Sequence, residues 1–135
     1  VMMLNGALGG LVAITAEPLM PSPIAAIIIG GIGGALVFAG TELLAALKID
    51  DVVGAIPVHL IAGIWGTLAV PITNPDTSFG TQFLGTASIC VFVFVVSIII
   101  WSIMKATIGI RISEEAEKEG TDVAETGVIA YSIRD

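Results

Sequence analysis

Charge is scarce in this sequence, and positive charge scarcer still. The 135 residues hold five Lys and Arg, twelve Asp and Glu and one His, so that only 13% are charged, about half the share with which soluble domains solvate their surfaces. A nucleic-acid footprint needs a basic face, and five basic residues against twelve acidic ones exclude it. The single cysteine, Cys90, excludes an intrachain disulfide and reads as a small buried hydrophobe. With one His and one Cys on different stretches there is no metal-ligand spacing. No basic segment precedes the first hydrophobic stretch, which is therefore not expected to be a signal peptide. Position 1 is Val rather than Met and reads as an arbitrary cut inside a longer protein.

What fills the sequence instead is apolar. Hydrophobic residues make up 56% of it, the mean hydropathy is +1.02, and the charges are segregated. Residues 1–104 carry Glu17, Glu42, Lys48, Asp50, Asp51 and Asp76, and every other charge lies from Lys105 onward. Four hydrophobic stretches follow one another, at about 1–16, 24–47, 52–72 and 83–104. The last three are long enough to cross the ~30 Å hydrocarbon core, whereas residues 1–16 reach only about 24 Å and are expected to have lost their beginning. A soluble core would have to bury all four with almost no polar faces. The expected fold is an all-α membrane protein of four transmembrane helices over 1–105, with a cytoplasmic tail over 106–135.

Sidedness follows from the basic residues. Threading four spans places Lys48, Lys105, Arg111, Lys118 and Arg134 on one side, which the positive-inside rule makes the cytoplasm. The segments 17–23 and 73–81, rich in Pro, Asn, Ser and Gly, form the opposite turns. Asp50 and Asp51 begin the third span, where a carboxylate caps free amides. In the tail, Ser113 is placed to cap a helix over 114–119, Glu114 and Lys118 to pair at i,i+4, and Gly120 to end it.

Small residues describe how the spans pack. Gly6 and Gly10, and Gly30 and Gly34, form GxxxG pairs, faces that let helix backbones approach closely. His59 stands about 12 Å beyond Asp51, near mid-bilayer, in a span otherwise without ionisable groups. Its α-helical neighbours Ala55, Ala62, Gly63 and Gly66 would form a small-residue face that turns it into protein. Pro57 removes one helical bond, frees the carbonyl of Val53 and kinks the helix beside the imidazole. The residues alone leave two readings open: a histidine satisfied by an interhelical hydrogen bond, or a functional intramembrane group.

At this point a resemblance enters. The stretch Asn5-Gly6-Ala7-Leu8-Gly9-Gly10-Leu11-Val12-Ala13-Ile14-Thr15, the block from Lys48-Ile49-Asp50-Asp51 through Pro57-Val58-His59 to Gly63-Ile64-Trp65-Gly66, and the segment Ile108-Gly109-Ile110-Arg111-Ile112-Ser113-Glu114-Glu115 with Gly120 and Asp122 resemble the last four spans and tail of the ammonium transporter family. The resemblance covers nearly the whole chain. It implies an eleven-span subunit in the cell membrane, a cytoplasmic C-terminus, and a homotrimer with one narrow pore per subunit. It also implies that His59 is the second of two touching pore histidines, with Leu8 and Ala55 lining the pore beside it and Pro57 kinking the helix nearby. The first histidine, the aromatic gate and the outer ammonium site would belong to earlier spans.

In a narrow apolar pore a bare cation is disfavoured, so ammonium would give up its proton and the neutral amine would pass along imidazole nitrogens. Two hydrogen-bonded imidazoles can also exchange donor and acceptor roles and relay the proton. Membrane lipids and a PII-type regulatory protein docking at the cytoplasmic face are the implied partners, and neither catalysis, a cofactor nor a metal is expected. Plant members carry a regulatory threonine where Ala124 stands, so that switch is expected to be absent; bacterial members often have histidine at the place of Thr126. The alternative function is an ammonium sensor on the same fold, with a signalling domain following Asp135.

Overall fold

The computed structural model describes residues 1–18 and 22–130. The parts of the expected turn at 19–21 and of the tail at 131–135 lie outside the described residues. The described residues form helices α1 (Met2–Ile14), α2 (Pro23–Ala46), a π-helical segment (Ile56–Ile61) continuing into α3 (Ala62–Thr73), then α4 (Phe79–Thr107) and the short α5 (Glu114–Glu119) and α6 (Thr121–Thr126). Among the described residues, three helical stretches are long and apolar enough to cross a membrane: Pro23–Ala46, Ile56–Thr73 and Phe79–Thr107. The first expected span is the 13-residue α1, about 20 Å long. The chain divides into two compact units, Val1–Phe92 and Val93–Asp135.

In the first unit α2 runs antiparallel to α1 and to the π segment with α3. Ser22 caps α2 by accepting from the amide of Ala25, and Pro23 follows at its first turn. The glycines then bring α1 and α2 backbone to backbone. A Cβ added at Gly34 would lie 2.9 Å from the carbonyl oxygen of Gly6, and one at Gly10 3.0 Å from that of Gly30. The expected close-packing face is therefore the α1–α2 seam. Two small clusters fill what remains, Ala13, Ile29 and Ala69 toward one end and Val37, Val58 and Ala62 toward the other.

The turns at the two ends agree with this alternation. At one end the side-chain amide of Asn74 donates to the carboxylate of Glu17 at 2.9 Å, tying the turn after α1 to the end of α3. At the other, α2 closes on Lys48, which takes φ 57 while the amide of Ile49 reaches back to Leu44. Inside the bundle the indole of Trp65 donates to the carbonyl of Ile29 at 3.0 Å. The last helix begins four residues earlier and ends three later than expected, because Ser78 accepts from the amide of Thr81 and starts a helix through Gly80, Thr81 and Gln82. None of its residues is buried.

In the second unit Ser113 accepts from the amide of Ala116, Lys118 pairs with Glu114 at 2.8 Å, and Gly120 ends α5 with φ 109. Arg111 adds a two-pronged pair with Glu117 at 2.7 and 2.8 Å. Those hydrogen bonds, with the carboxylate's charge, raise the guanidinium above its ordinary value. Asp122 accepts from the amide of Ala130, folding the chain back over α6.

Candidate functional site

The segment carrying His59 is built from its first turn upward. Asp51 uses both carboxylate oxygens, accepting from the amides of Ala55 and Ile56 at 2.8 Å each, and so caps the helix as expected. Between them Gly54 adopts φ +79, a conformation that a side chain disfavours. The helix consequently starts at 55 rather than 52. Pro57 has no N–H to give to Val53, and the freed carbonyl is not left bare: the side-chain amide of Asn5 donates to it at 3.0 Å.

Past Pro57 the backbone widens into the π segment, where the amide of Ala62 reaches the carbonyl of Pro57 five residues back. Single π turns of this kind insert one residue into a helix and often occur at functional sites. The inserted residue splits the small-residue face expected around His59. Ala62 and Gly66 turn into the core, where a Cβ on Gly66 would collide with the backbone of Ala13. His59 turns outward with Leu60, Gly63, Ile64 and Thr67. Pro57, at the site of the expected kink, is itself fully buried, packed near Gly40 of α2.

His59 is exposed. It lines a cleft of about 320 Å³ whose opposite wall is the first part of α4, through Gln82, Gly85, Thr86, Ile89 and Cys90. Among the described residues no hydrogen bond involves its imidazole, and the hydroxyl of Thr86 in the facing wall is buried without a partner. Ala55 is exposed one turn before His59. Leu8, 50% exposed, comes from α1, which runs parallel to α3: Asn5 meets Val53 and Val12 lies 3.9 Å from the Cβ position of Gly63. Those two contacts bracket Leu8 and set it near the level of His59, on the stripe of α1 that also bears Asn5 and Val12. Neither Leu8 nor Ala55 lines the cleft. The structure thus brings His59, Ala55 and Pro57 onto one segment and puts Leu8 at a similar height on the neighbouring helix. Asn5, Gln82 and Thr86 carried one available signal, polarity inside apolar helices.

The family model described as Ammonium Transporter Family matches residues 1–131. A candidate ammonium transporter of Synechocystis is 42% identical over 92% of this chain and 28% of its own length. An ammonium transporter of Bacillus subtilis is 37% identical over 94% of the chain and 35% of its own length. One from Haloferax mediterranei is 35% identical over 96% of the chain and 26% of its own length. The chain spans about a quarter to a third of these relatives, each of which is named as a transporter. The chain belongs to the ammonium transporter family.

Proposed function

We propose that this chain is the C-terminal portion of an ammonium transporter in which His59 lines a narrow apolar pore and helps move ammonia and its proton. The observation that carries the reading is the exposed imidazole, without a hydrogen bond among the described residues, in an 18-residue apolar helical stretch. An ionisable group at that depth is costly to leave against lipid. The exposed face of His59 is therefore where the remainder of the transporter closes over it. In the proposed pore Leu8 and Ala55 line the wall near His59, and Pro57 with the π segment aims the imidazole. Ammonium is deprotonated on entry, because a narrow apolar path disfavours the cation, and a second imidazole from an earlier span completes the relay.

The proposed organisation is that of the family: an eleven-span subunit, α1 within the first of its last four spans, a membrane region over 1–105, a cytoplasmic tail over 106–135, a homotrimer in the cell membrane and a PII-type protein at the cytoplasmic face. Sidedness is supported by Lys48 and Lys105 falling at span ends that threading puts on one side. The test is His59→Ala in the full-length protein, with methylammonium uptake measured beside assembly in detergent. Reduced uptake by a variant that assembles like the wild type is expected. Normal uptake by that variant would sink the assignment. Loss of assembly would instead favour a purely structural histidine, whose removal leaves a buried partner unsatisfied at a cost of about 1 to 3 kcal/mol.

A further inference from the structure

Resting on the pore reading of His59, we infer that Asn5 is a positioning residue for that histidine: its side-chain amide pins the backbone from which the π segment starts. Three observations converge on it. First, Asn5 crosses from α1 to donate to the carbonyl of Val53 at 3.0 Å, the carbonyl that Pro57 would leave without its helical donor. Second, it fills the space beside Gly54: a Cβ there would lie 2.5 Å from the Asn5 side-chain nitrogen, and Gly54 already stands at φ +79. Third, the next two residues are fixed by Asp51, through the amides of Ala55 and Ile56, so the turn from 51 to 56 is held from both sides.

His59 follows within one π turn of that clamp. An irregular helix start has fewer internal bonds to set its direction than an α-helix. Any slackening at Val53 is therefore transmitted to the imidazole as a displacement, and a shift of about 1 Å at a reacting group is enough for a large loss of rate. The hydrogen bond does not touch the permeating species, so its effect is on turnover rather than on recruitment.

In the full-length protein, Asn5→Leu keeps the shape and removes the donor, Asn5→Gln keeps a donor, and Asn5→Ser is too short to reach Val53. Methylammonium uptake, its pH profile and assembly in detergent are measured for each, with His59→Ala alongside. The expected result for Asn5→Leu is normal assembly, a maximal rate lower by about tenfold or more, an unchanged half-saturating concentration and an altered pH profile, with Asn5→Gln recovering part of the rate. Uptake within twofold of wild type in Asn5→Leu, or equal losses in Asn5→Leu and Asn5→Gln, overturns the inference. If Asn5→Leu does not assemble, Asn5→Ser decides by the same criteria: slowed uptake supports the clamp and wild-type uptake overturns it. The two proposals fail separately. Normal uptake in His59→Ala removes the pore reading on which the clamp rests, whereas loss in His59→Ala with full activity in Asn5→Leu removes the clamp alone.

Discussion

Replacing Gly33 by Ala adds one methyl group at a tight part of the α1–α2 seam. The new Cβ would stand 2.6 Å from the Cβ of Ala13 and 2.9 Å from the carbonyl oxygen of Gly9, where ordinary contact begins at 3.4 Å. The shortfalls are about 0.8 and 0.5 Å, and neither neighbour is the end of a flexible side chain. The two helices must therefore part, and separation also loosens the Gly6–Gly34 and Gly10–Gly30 approaches on the same seam. Overpacking of this kind costs about 1 to 3 kcal/mol. Gly31, two residues earlier on α2, is the control, since a Cβ there meets nothing within 4 Å. The assay is the thermal midpoint of the full-length protein in detergent, followed by size exclusion. Gly33→Ala is expected to lower it clearly, and Gly31→Ala to leave it close to wild type. Equal midpoints for the two variants would refute the seam as the element holding α1 in place.

Two further outcomes can be measured on the same protein. Asp51→Ala removes the acceptor for two amides at the head of the His59 segment and is expected to destabilise by about 1 to 2 kcal/mol, with Asp51→Asn intermediate; a chemical-denaturation series checks the order. Cysteine placed at position 76 is expected to react with a thiol reagent that cannot cross the membrane of intact cells, and cysteine at position 48 is not; the reverse pattern overturns the proposed orientation.

Much of this architecture was legible in the sequence because it is dictated by local chemistry. The Asp51 cap, the Ser113 cap, the Glu114–Lys118 pair and the glycine seam each follow from residue type at a fixed spacing. The face presented by His59 was not legible, because helical periodicity assumes 3.6 residues per turn. The π segment at Ile56–Ile61 breaks that count and sends Ala62 and Gly66 to the core while His59 stays outside. Asn5 escaped for a different reason: its partner lies 48 positions away, a separation that no local pattern encodes. The start of α4 was set too late because Gly80, Thr81 and Gln82 have the composition of a turn, although Ser78 caps them into helix.

The central claim is that the exposed face of His59 is the wall of a conduit, and a structure of the full-length protein in a lipid nanodisc tests it most directly. The account predicts the His59 imidazole within about 3 Å of a second imidazole from an earlier span, facing a narrow passage that Leu8 and Ala55 also line. A His59 side chain packed against solid protein or lipid, with no passage beside it, would contradict the account.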